Sequence, residues 1–251
     1  MLKAERHERI LAELAHHGSV SAQDLSALLN ASLATIRRDI TELDSVKSLI
    51  RTHGGATLPK HREELPYDAK MMKFLQEKRR IGAAAAERLE DNSLIGCGGG
   101  TTVLQTLPIL RRKTLKLVTT AVNIALELRD TTTVEVTLTG GVLRRRTAET
   151  VGHIAERTLR DMNIDVMLMG VDGLDPRSGA TTFDSSEAYV NRVMAEQSRE
   201  VWILADHSKL GESLPAVICD MASVTRVFTD SGAPDDILRD IAACGVDVVT
   251  V

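Results

Sequence analysis

The 251-residue sequence is poor in aromatic side chains and in cysteine, and it contains no long apolar run. Aromatic residues make up 2% of the chain, which argues against a surface that binds single-stranded nucleic acid by base stacking. Cys97, Cys219 and Cys244 lie too far apart for a zinc motif or a disulfide framework, so they favour a reducing compartment. The N-terminus is charged, and no segment has the length of a membrane span. We therefore expect a cytoplasmic protein without membrane association.

The net charge of −4 is unevenly distributed along the chain. Residues 1–80 carry a net charge of +3, and residues 81–251 carry −7. Five of the seven histidines also lie in the first part. This asymmetry indicates a mildly basic head on an acidic body. The indication is weak, because residues 1–57 taken alone are neutral.

Residues 1–57 have the pattern of a winged helix-turn-helix. Apolar residues at helical spacing predict a first helix that ends near Gly18. Ser21 and Asp24 resemble a capping box that opens a second helix. The inner face of this helix is predicted to hold three leucines, Leu25, Leu28 and Leu29. Two short β-prone pieces around residues 49–51 and 56–58 complete the pattern as a wing.

Ser32 is the predicted N-cap of a third helix, which has the features of a DNA-reading helix. Its buried side is predicted to hold Leu33, Ile36, Ile40 and Leu43. On the opposite side Arg38 can bond guanine O6 and N7 in the major groove, and Arg37 can reach a phosphate. The residues expected to contact double-stranded DNA are Ser32, Ala34, Thr35, Arg37, Arg38, Thr41, Arg51 and His53.

An amphipathic helix with a solvated arginine pair is the alternative interpretation of Arg37 and Arg38. The ordered set of helix, capped helix, short turn, capped helix and wing favours DNA binding. The segments 35–40 (Thr-Ile-Arg-Arg-Asp-Ile) and 51–56 (Arg-Thr-His-Gly-Gly-Ala) resemble the N-terminal signature of the DeoR family of bacterial transcriptional regulators. The resemblance implies that the third helix is the recognition helix. Residues 44–48 depart from the family pattern, which usually has an acidic residue and a glycine before the wing.

From residue 81 the pattern changes to an α/β, Rossmann-like one with a mostly parallel sheet between helices. Strands are predicted at 93–97, 115–119, 134–139, 165–171, 201–205, 224–229 and 246–251. Helices between them include 122–129, 187–198 and 235–243. The predicted organisation is a winged helix-turn-helix domain at 1–57, a linker with the start of a connecting helix at 58–80, and an effector-binding domain at 81–251.

Glycine-rich and polar clusters follow several of the predicted strands, where open α/β sheets bind their ligands. The loop 98–102 suits a phosphate, because glycines allow close backbone approach. The residues expected to bind a phosphorylated small molecule are Gly98, Gly99, Gly100, Thr101, Thr102, Thr119, Thr120, Gly140, Gly141, Asp172, Gly173 and Lys209. A plain turn at Gly140–Gly141 and a surface role for Lys209 remain open. The run 144–146 of three arginines is interpreted as solvated, with a phosphate contact as the lesser alternative.

These clusters also resemble the DeoR sensor domain, whose fold is similar to ribose-5-phosphate isomerase and which binds a phosphorylated sugar or related metabolite. The segments 98–102, 172–175 and 205–209 are similar to motifs of that isomerase. The resemblance adds Glu187, at the place of its catalytic glutamate, and Thr181, in the stretch 179–182 that replaces its Lys-Gly-Gly-Gly segment. Without that lysine, binding is favoured over turnover. Gly98 stands where many family members have aspartate.

We therefore expect a DNA-binding regulator, a repressor of carbohydrate or polyol metabolism, with no catalytic residue, metal or cofactor. The expected effector is a phosphorylated sugar or polyol. The chain is expected to form a dimer or tetramer that binds repeated or palindromic half-sites. An isomerase-like enzyme with an appended DNA-binding head is the alternative, and an interaction module with a vestigial pocket is a second one.

Overall fold

The computed structural model describes residues 2–45, 48–52, 54–57 and 64–251. The chain divides into two compact units, an N-terminal unit (Met1–Leu75) and a C-terminal unit (Gln76–Val251). The predicted domain bounds at residues 57 and 80 stay a prediction. Among the described residues, no helix has both the length and the apolar character needed to cross a membrane.

The N-terminal unit is a winged helix-turn-helix, as the sequence predicts. Its elements are α1 (Lys3–His17), β1 (Ser19–Ser21), α2 (Ala22–Leu28), α3 (Leu33–Ser45), β2 (Ile50–Arg51), β3 (Gly55–Thr57) and α4 (Tyr67–Met72). Ser21 caps α2 by accepting the Asp24 backbone N–H at 3.0 Å. Ile36, Ile40 and Leu43 of α3 are buried in a core shared with α1 and α2. The wing is a three-stranded antiparallel sheet in the order β1-β3-β2.

Two details of this unit differ from the sequence prediction. Leu28 is 56% exposed, so its placement on the inner face of α2 is wrong. The buried stripe of this helix and its C-cap runs through Ala22, Leu25 and Leu29, and Leu28 lies about a quarter turn from its centre. Strand β1 was not predicted, because it forms by pairing with β3 rather than from an apolar pattern of its own.

A buried carboxylate on α3 ties this helix to α1. Asp39 is 2% exposed and accepts hydrogen bonds from Arg6, with Nη2 at 3.0 Å from Oδ1, and from His7 Nε2 at 3.1 Å. Burial by itself raises the pKa of Asp39, but the hydrogen bonds from Arg6 and His7 outweigh it and hold the pKa below its ordinary value. Glu42 is near enough to form a metal cluster with His7 and Asp39, but Lys3 and Arg6 already neutralise the two carboxylates.

The C-terminal unit is built on a seven-stranded parallel sheet in the order β15-β14-β12-β9-β4-β5-β6. These strands are β4 (Leu94–Cys97), β5 (Leu115–Thr119), β6 (Val134–Leu138), β9 (Ile164–Gly170), β12 (Ser198–Leu204), β14 (Arg226–Thr229) and β15 (Asp247–Thr250). All seven strands of the sequence prediction are confirmed. The helices are α5 (Leu75–Glu87), α6 (Leu107–Leu110), α7 (Val122–Leu128), α8 (His153–Arg160), α9 (Ser185–Glu196) and α10 (Asp235–Ala243).

Both faces of the sheet are buried, which explains the nearly continuous apolar character of its central strands. Met167 and Met169 of β9 pack in the cluster that includes side chains of α8, α9 and α10. Leu168 points to the other face and packs in the cluster that includes α5, α6 and α7. Helices therefore cover the sheet on both sides, as the α/β pattern indicates.

The C-terminal unit also contains two smaller antiparallel sheets that the sequence does not predict. They are the hairpin β7 (Val142–Arg144) with β8 (Glu149–Val151), and the sheet of β10 (Gly173–Asp175), β11 (Gly179–Thr182) and β13 (Ala216–Cys219). Each of these strands has three or four residues and lacks a clear apolar alternation, so their formation depends on tertiary pairing.

The buried Asp39 contact yields a stability prediction. We expect Asp39→Asn to lower the free energy of unfolding of the N-terminal unit by about 2 kcal/mol, because the Arg6 guanidinium loses its counter-charge. Since the folded-state pKa of Asp39 is lowered, the stabilisation is present above the pKa of the unfolded carboxyl and is lost as pH falls through the lowered value.

Urea unfolding of the full chain, followed by far-ultraviolet circular dichroism, measures this change. Fluorescence of Trp202, the single tryptophan, reports on the C-terminal unit and should be unchanged. Glu42→Gln is the matched control: the Lys3–Glu42 pair is largely exposed, and such pairs contribute about 0–1 kcal/mol. Equal losses for the two variants would contradict the assignment.

Candidate functional site

The solvent side of α3 carries most of the residues expected to contact DNA. Ala34, Arg37, Arg38 and Thr41 are exposed, whereas Thr35 is half-buried. The opposite side of the helix is the buried side of Ile36, Ile40 and Leu43. A 13-residue helix with two exposed arginines on one side has the dimensions and chemistry of a major-groove reader.

Ser32 and Arg51 fix the two ends of this surface. Ser32 is exposed, and its Oγ accepts the Thr35 N–H at 3.1 Å as the N-cap of α3. The Arg51 N–H donates to Asp44 Oδ1 at 3.0 Å, and its Nη1 lies 3.3 Å from Thr41 Oγ1. The wing strand β2 is thereby held against α3, and it brings Arg51 beside Thr41. His53 lies outside the described residues.

The second cluster of expected residues lies at the carboxyl edge of the parallel sheet. The loop 98–102 follows β4, and Gly98 N–H donates to Leu168 O at 3.1 Å on the neighbouring strand β9. Gly100 has a φ of +115°, a conformation that favours glycine. Thr101 and Thr102 complete the loop and are buried. The loop is therefore packed against the carboxyl edge of the sheet, and its two threonine side chains are buried there.

Glu149 is part of this edge, although no sequence pattern indicates it. Its side chain enters from β8, is 2% exposed, and its Oε1 accepts the Gly99 N–H at 2.7 Å and the Thr120 hydroxyl at 3.0 Å. Burial raises the pKa of Glu149, and hydrogen bonds from Gly99, Thr120 and Thr147 oppose that rise in part. A buried carboxylate thus lies within the loop expected to bind a phosphate.

Asp172, Glu187 and Lys209 come together around the hydroxyl of Thr182. This hydroxyl lies 3.1 Å from Asp172 Oδ2 and 3.0 Å from Glu187 Oε1. Lys209 Nζ lies 3.5 Å from Asp172 Oδ1, and the lysine side chain is 23% exposed. The segments that follow β9 and β12 and the first turn of α9 thereby contribute to one group of charges.

Arg144 extends this group, and its interpretation as part of a solvated run is wrong. Its side chain is 12% exposed, with Nη1 3.1 Å from Glu187 Oε2 and Nε 3.4 Å from Asp184 Oδ2. Asp184 caps α9, and burial by itself raises its pKa. The backbone N–H of Glu187 and the Arg144 charge outweigh this effect and lower the pKa of Asp184. Arg145 and Arg146 are exposed.

Other residues expected to bind the effector have structural roles, and two of them donate hydrogen bonds to backbone carbonyls. The Thr119 hydroxyl donates to Cys97 O at 2.8 Å, and the Thr181 hydroxyl donates to Gly173 O at 3.2 Å. A Cβ on Gly173 would lie 2.6 Å from Glu212 O, so this position requires glycine. The exposed glycines 140 and 141 connect β6 to β7, and this position favours the turn interpretation that the sequence left open.

His207 and Asp230 form a further pair at the same edge that sequence patterns did not indicate. His207 Nδ1 lies 2.7 Å from Asp230 Oδ2, and the His207 N–H donates to Asp230 Oδ1 at 2.8 Å. The hydrogen bond to Asp230 raises the pKa of His207 against the effect of burial. Asp230 is the first residue after β14, and Asp172 is the second after β9, so a position at a strand end was the available signal.

The two units together define a class of protein: a DNA-binding winged helix joined to an α/β unit whose strand ends gather charged and glycine-rich segments. A family model described as a DeoR-like helix-turn-helix domain matches residues 6–62. A second, described as the DeoR C terminal sensor domain, matches residues 73–231. The chain belongs to the DeoR family of transcriptional regulators.

Curated relatives match over nearly the whole chain. The HTH-type transcriptional regulator GlpR of Haloferax volcanii is 35% identical over 99% of this chain and 98% of its own length. The glycerol-3-phosphate regulon repressor of Escherichia coli K12 is 29% identical over 95% of each chain. Ribose 5-phosphate isomerase from Plasmodium falciparum aligns in structure with 20% identity and a TM-score of 0.39, covering 55% of this chain and 52% of that one.

The exposed face of α3 yields a prediction for DNA binding. The probe is a duplex selected from a random-sequence library by the wild-type protein. We expect Arg38→Ala to weaken binding to this duplex by about 1–3 kcal/mol and to relax its sequence preference, because a base contact is lost. Arg37→Ala should weaken binding to the selected and a scrambled duplex by similar amounts.

Fluorescence anisotropy at fixed salt measures both affinities, since phosphate contacts are salt-dependent. Arg9→Ala is the control, because Arg9 is an exposed arginine on α1 of the same unit. Unchanged affinity in both α3 variants would remove the assignment of α3 as the recognition helix.

Proposed function

We propose that the protein is a transcriptional repressor of carbohydrate or polyol metabolism whose C-terminal unit binds a phosphorylated sugar or polyol. The observation that supports this most is the set of contacts at the carboxyl edge of the sheet. Gly99 of loop 98–102 contacts Glu149, on the hairpin that also carries Arg144, and Lys209 contacts Asp172. The name of the Escherichia coli relative, glycerol-3-phosphate regulon repressor, agrees with this class of effector.

The chemistry of the edge suits a ligand with both an anionic group and hydroxyl groups. Glycine-rich backbone, threonine hydroxyls and Lys209 are donors for phosphate oxygens. Asp172 and Glu187 are acceptors for sugar hydroxyls. A ligand without phosphate would offer Arg144 and Lys209 no anionic group beyond the carboxylates that they already contact, and one without hydroxyls would offer Asp172 and Glu187 no donors of its own. We therefore favour a sugar or polyol phosphate over either simpler class.

Binding without turnover is the second part of the proposal. An aldose–ketose isomerase needs a base and a cation that stabilises the enediolate. Strand β11, which has the sequence Gly-Ala-Thr-Thr, is fully buried and carries no lysine. Glu187 is already engaged with Arg144 and the Thr182 hydroxyl. A protein with this function acts on DNA in the cytoplasm.

Effector binding is tested by thermal unfolding with a panel of sugar and polyol phosphates, each beside its unphosphorylated parent. We expect at least one phosphorylated compound to raise the melting temperature, because a ligand that binds the folded state stabilises it by mass action. Lys209→Gln should weaken the binding of that compound at least tenfold. Exposed Lys116→Gln on β5 is the matched control.

Equal shifts with the phosphorylated and parent compounds would contradict a phosphate-dependent site. The enzyme alternative is tested by incubating the protein with ribose 5-phosphate and assaying ribulose 5-phosphate. We expect no formation above the protein-free rate. Robust turnover would overturn the regulator-only assignment.

The proposal includes a homo-oligomer that places two DNA-binding heads on paired half-sites. β6 is an end strand of the sheet, and apolar side chains are exposed beside it. Val142 is 71% exposed, Leu143 51% and Ile154 50%, with Ile154 against Gly140 at the start of the hairpin. A two-fold axis beside β6 would pair such a surface with itself, so a second copy of this chain is the partner it suits.

We expect Val142→Asp to shift the protein toward a monomer, because a charge would be buried in the interface. Light scattering coupled to size-exclusion chromatography measures the mass. Val217→Asp, at a 44% exposed position on β13, should leave the mass unchanged. A wild-type monomer, or an unchanged oligomer in Val142→Asp, would contradict this surface.

A further inference from the structure

Glu149 occupies the place within loop 98–102 where an anion would bind. The Gly99 N–H and the Thr120 hydroxyl, two donors suited to a phosphate oxygen, both point at Glu149 Oε1. The fit leaves no spare room, because a Cβ on Gly99 would lie 2.1 Å from Glu149 Cδ. The glycine at position 99 and the glutamate at position 149 therefore belong to one arrangement.

The hairpin β7–β8 carries the carboxylate together with the cation that reaches α9. Arg144 and Glu149 are opposite each other in the antiparallel register of the hairpin. Arg144 contacts Glu187 and Asp184 at α9, and Glu149 contacts loop 98–102. Each end of this cross-strand pair thus holds the hairpin to a different part of the proposed effector site.

We infer that Glu149 is an internal anion, displaced from the Gly99 N–H by the phosphate of the effector, and that its displacement frees the hairpin β7–β8. The inference rests on the proposed function and names how the same site is regulated. No covalent step is involved: the Gly99 and Thr120 donors exchange a carboxylate oxygen for a phosphate oxygen.

Competition with the Glu149 carboxylate lowers the affinity of the site for the effector. The apparent affinity of the effector is reduced by the fraction of molecules in which the loop is already occupied. A phosphate that enters beside an ionised Glu149 is also repelled by it, and the buried position leaves that repulsion poorly screened. Removing the charge at position 149 while keeping its shape should therefore strengthen anion binding, the opposite of what loss of a ligand contact would do.

Glu149→Gln makes this change, because the glutamine Oε1 can still accept the Gly99 N–H. The probe is sulfate, a phosphate mimic whose own charge is constant near neutral pH, with sodium chloride at equal ionic strength as the salt control. We expect the apparent dissociation constant for sulfate, from thermal unfolding titrations, to fall at least fivefold in Glu149→Gln. Glu196→Gln, which removes an exposed charge on α9, is the matched control and should behave as the wild type.

Hydrogen–deuterium exchange gives a second readout that does not depend on this variant. In the wild type, sulfate should raise amide exchange in residues 142–151, and chloride should not. Gly99→Ala should raise exchange there without any anion, because its Cβ expels the Glu149 carboxylate. The φ of Gly99 lies outside the left-handed region, so alanine brings a steric effect and no backbone strain.

Weaker or equal sulfate binding in Glu149→Gln, or hairpin exchange that neither sulfate nor Gly99→Ala alters, would overturn the inference. If the wild type is stabilised by a phosphorylated sugar but Glu149→Gln binds it no better, the internal-anion role fails and the proposed function stands. If no anion or phosphorylated compound stabilises the wild type or Glu149→Gln, the proposed function fails together with the inference.

Discussion

Parallel pairing of the seven central strands is the constraint on which the C-terminal unit depends. In a parallel sheet every strand ends at the same edge, so segments that are more than 100 residues apart in sequence become neighbours. Gly98, Asp172 and Lys209 come close in this way after β4, β9 and β12. Such a sheet needs both faces buried, and the apolar strands with the helices on either side provide that burial.

Buried carboxylates with fixed partners add a second level of organisation in both units. Asp39 joins α3 to α1 in the N-terminal unit, and Glu149 joins β8 to loop 98–102 in the C-terminal unit. The effects differ, because charged partners lower the pKa of Asp39 whereas burial prevails at Glu149 and raises its pKa. A well-paired carboxylate stabilises a framework, and a less fully compensated one is easier to displace.

An effector changes DNA binding only through a preference for one arrangement of the oligomer. In the proposed function, that preference originates at the carboxyl edge of the sheet, where Arg144 and Glu149 hold one hairpin to α9 and to the glycine-rich loop. The hairpin also carries the exposed Val142 and Leu143, which belong to the surface proposed for a second copy. One short element would then connect effector binding with assembly.

The sequence by itself determined the winged helix, the seven parallel strands and the glycine-rich loop, because each depends on local capping, periodicity or turn chemistry. The family signature at 35–40 is likewise a run of adjacent residues that the sequence shows directly. Tertiary structure alone decided which charges meet. Arg144 in a run of arginines, Glu149 in a short strand and Asp39 directly after two arginines carry no local mark of their partners. Long-range hydrogen bonds and burial assign those roles, and they turn an expected phosphate loop into one already occupied by a carboxylate.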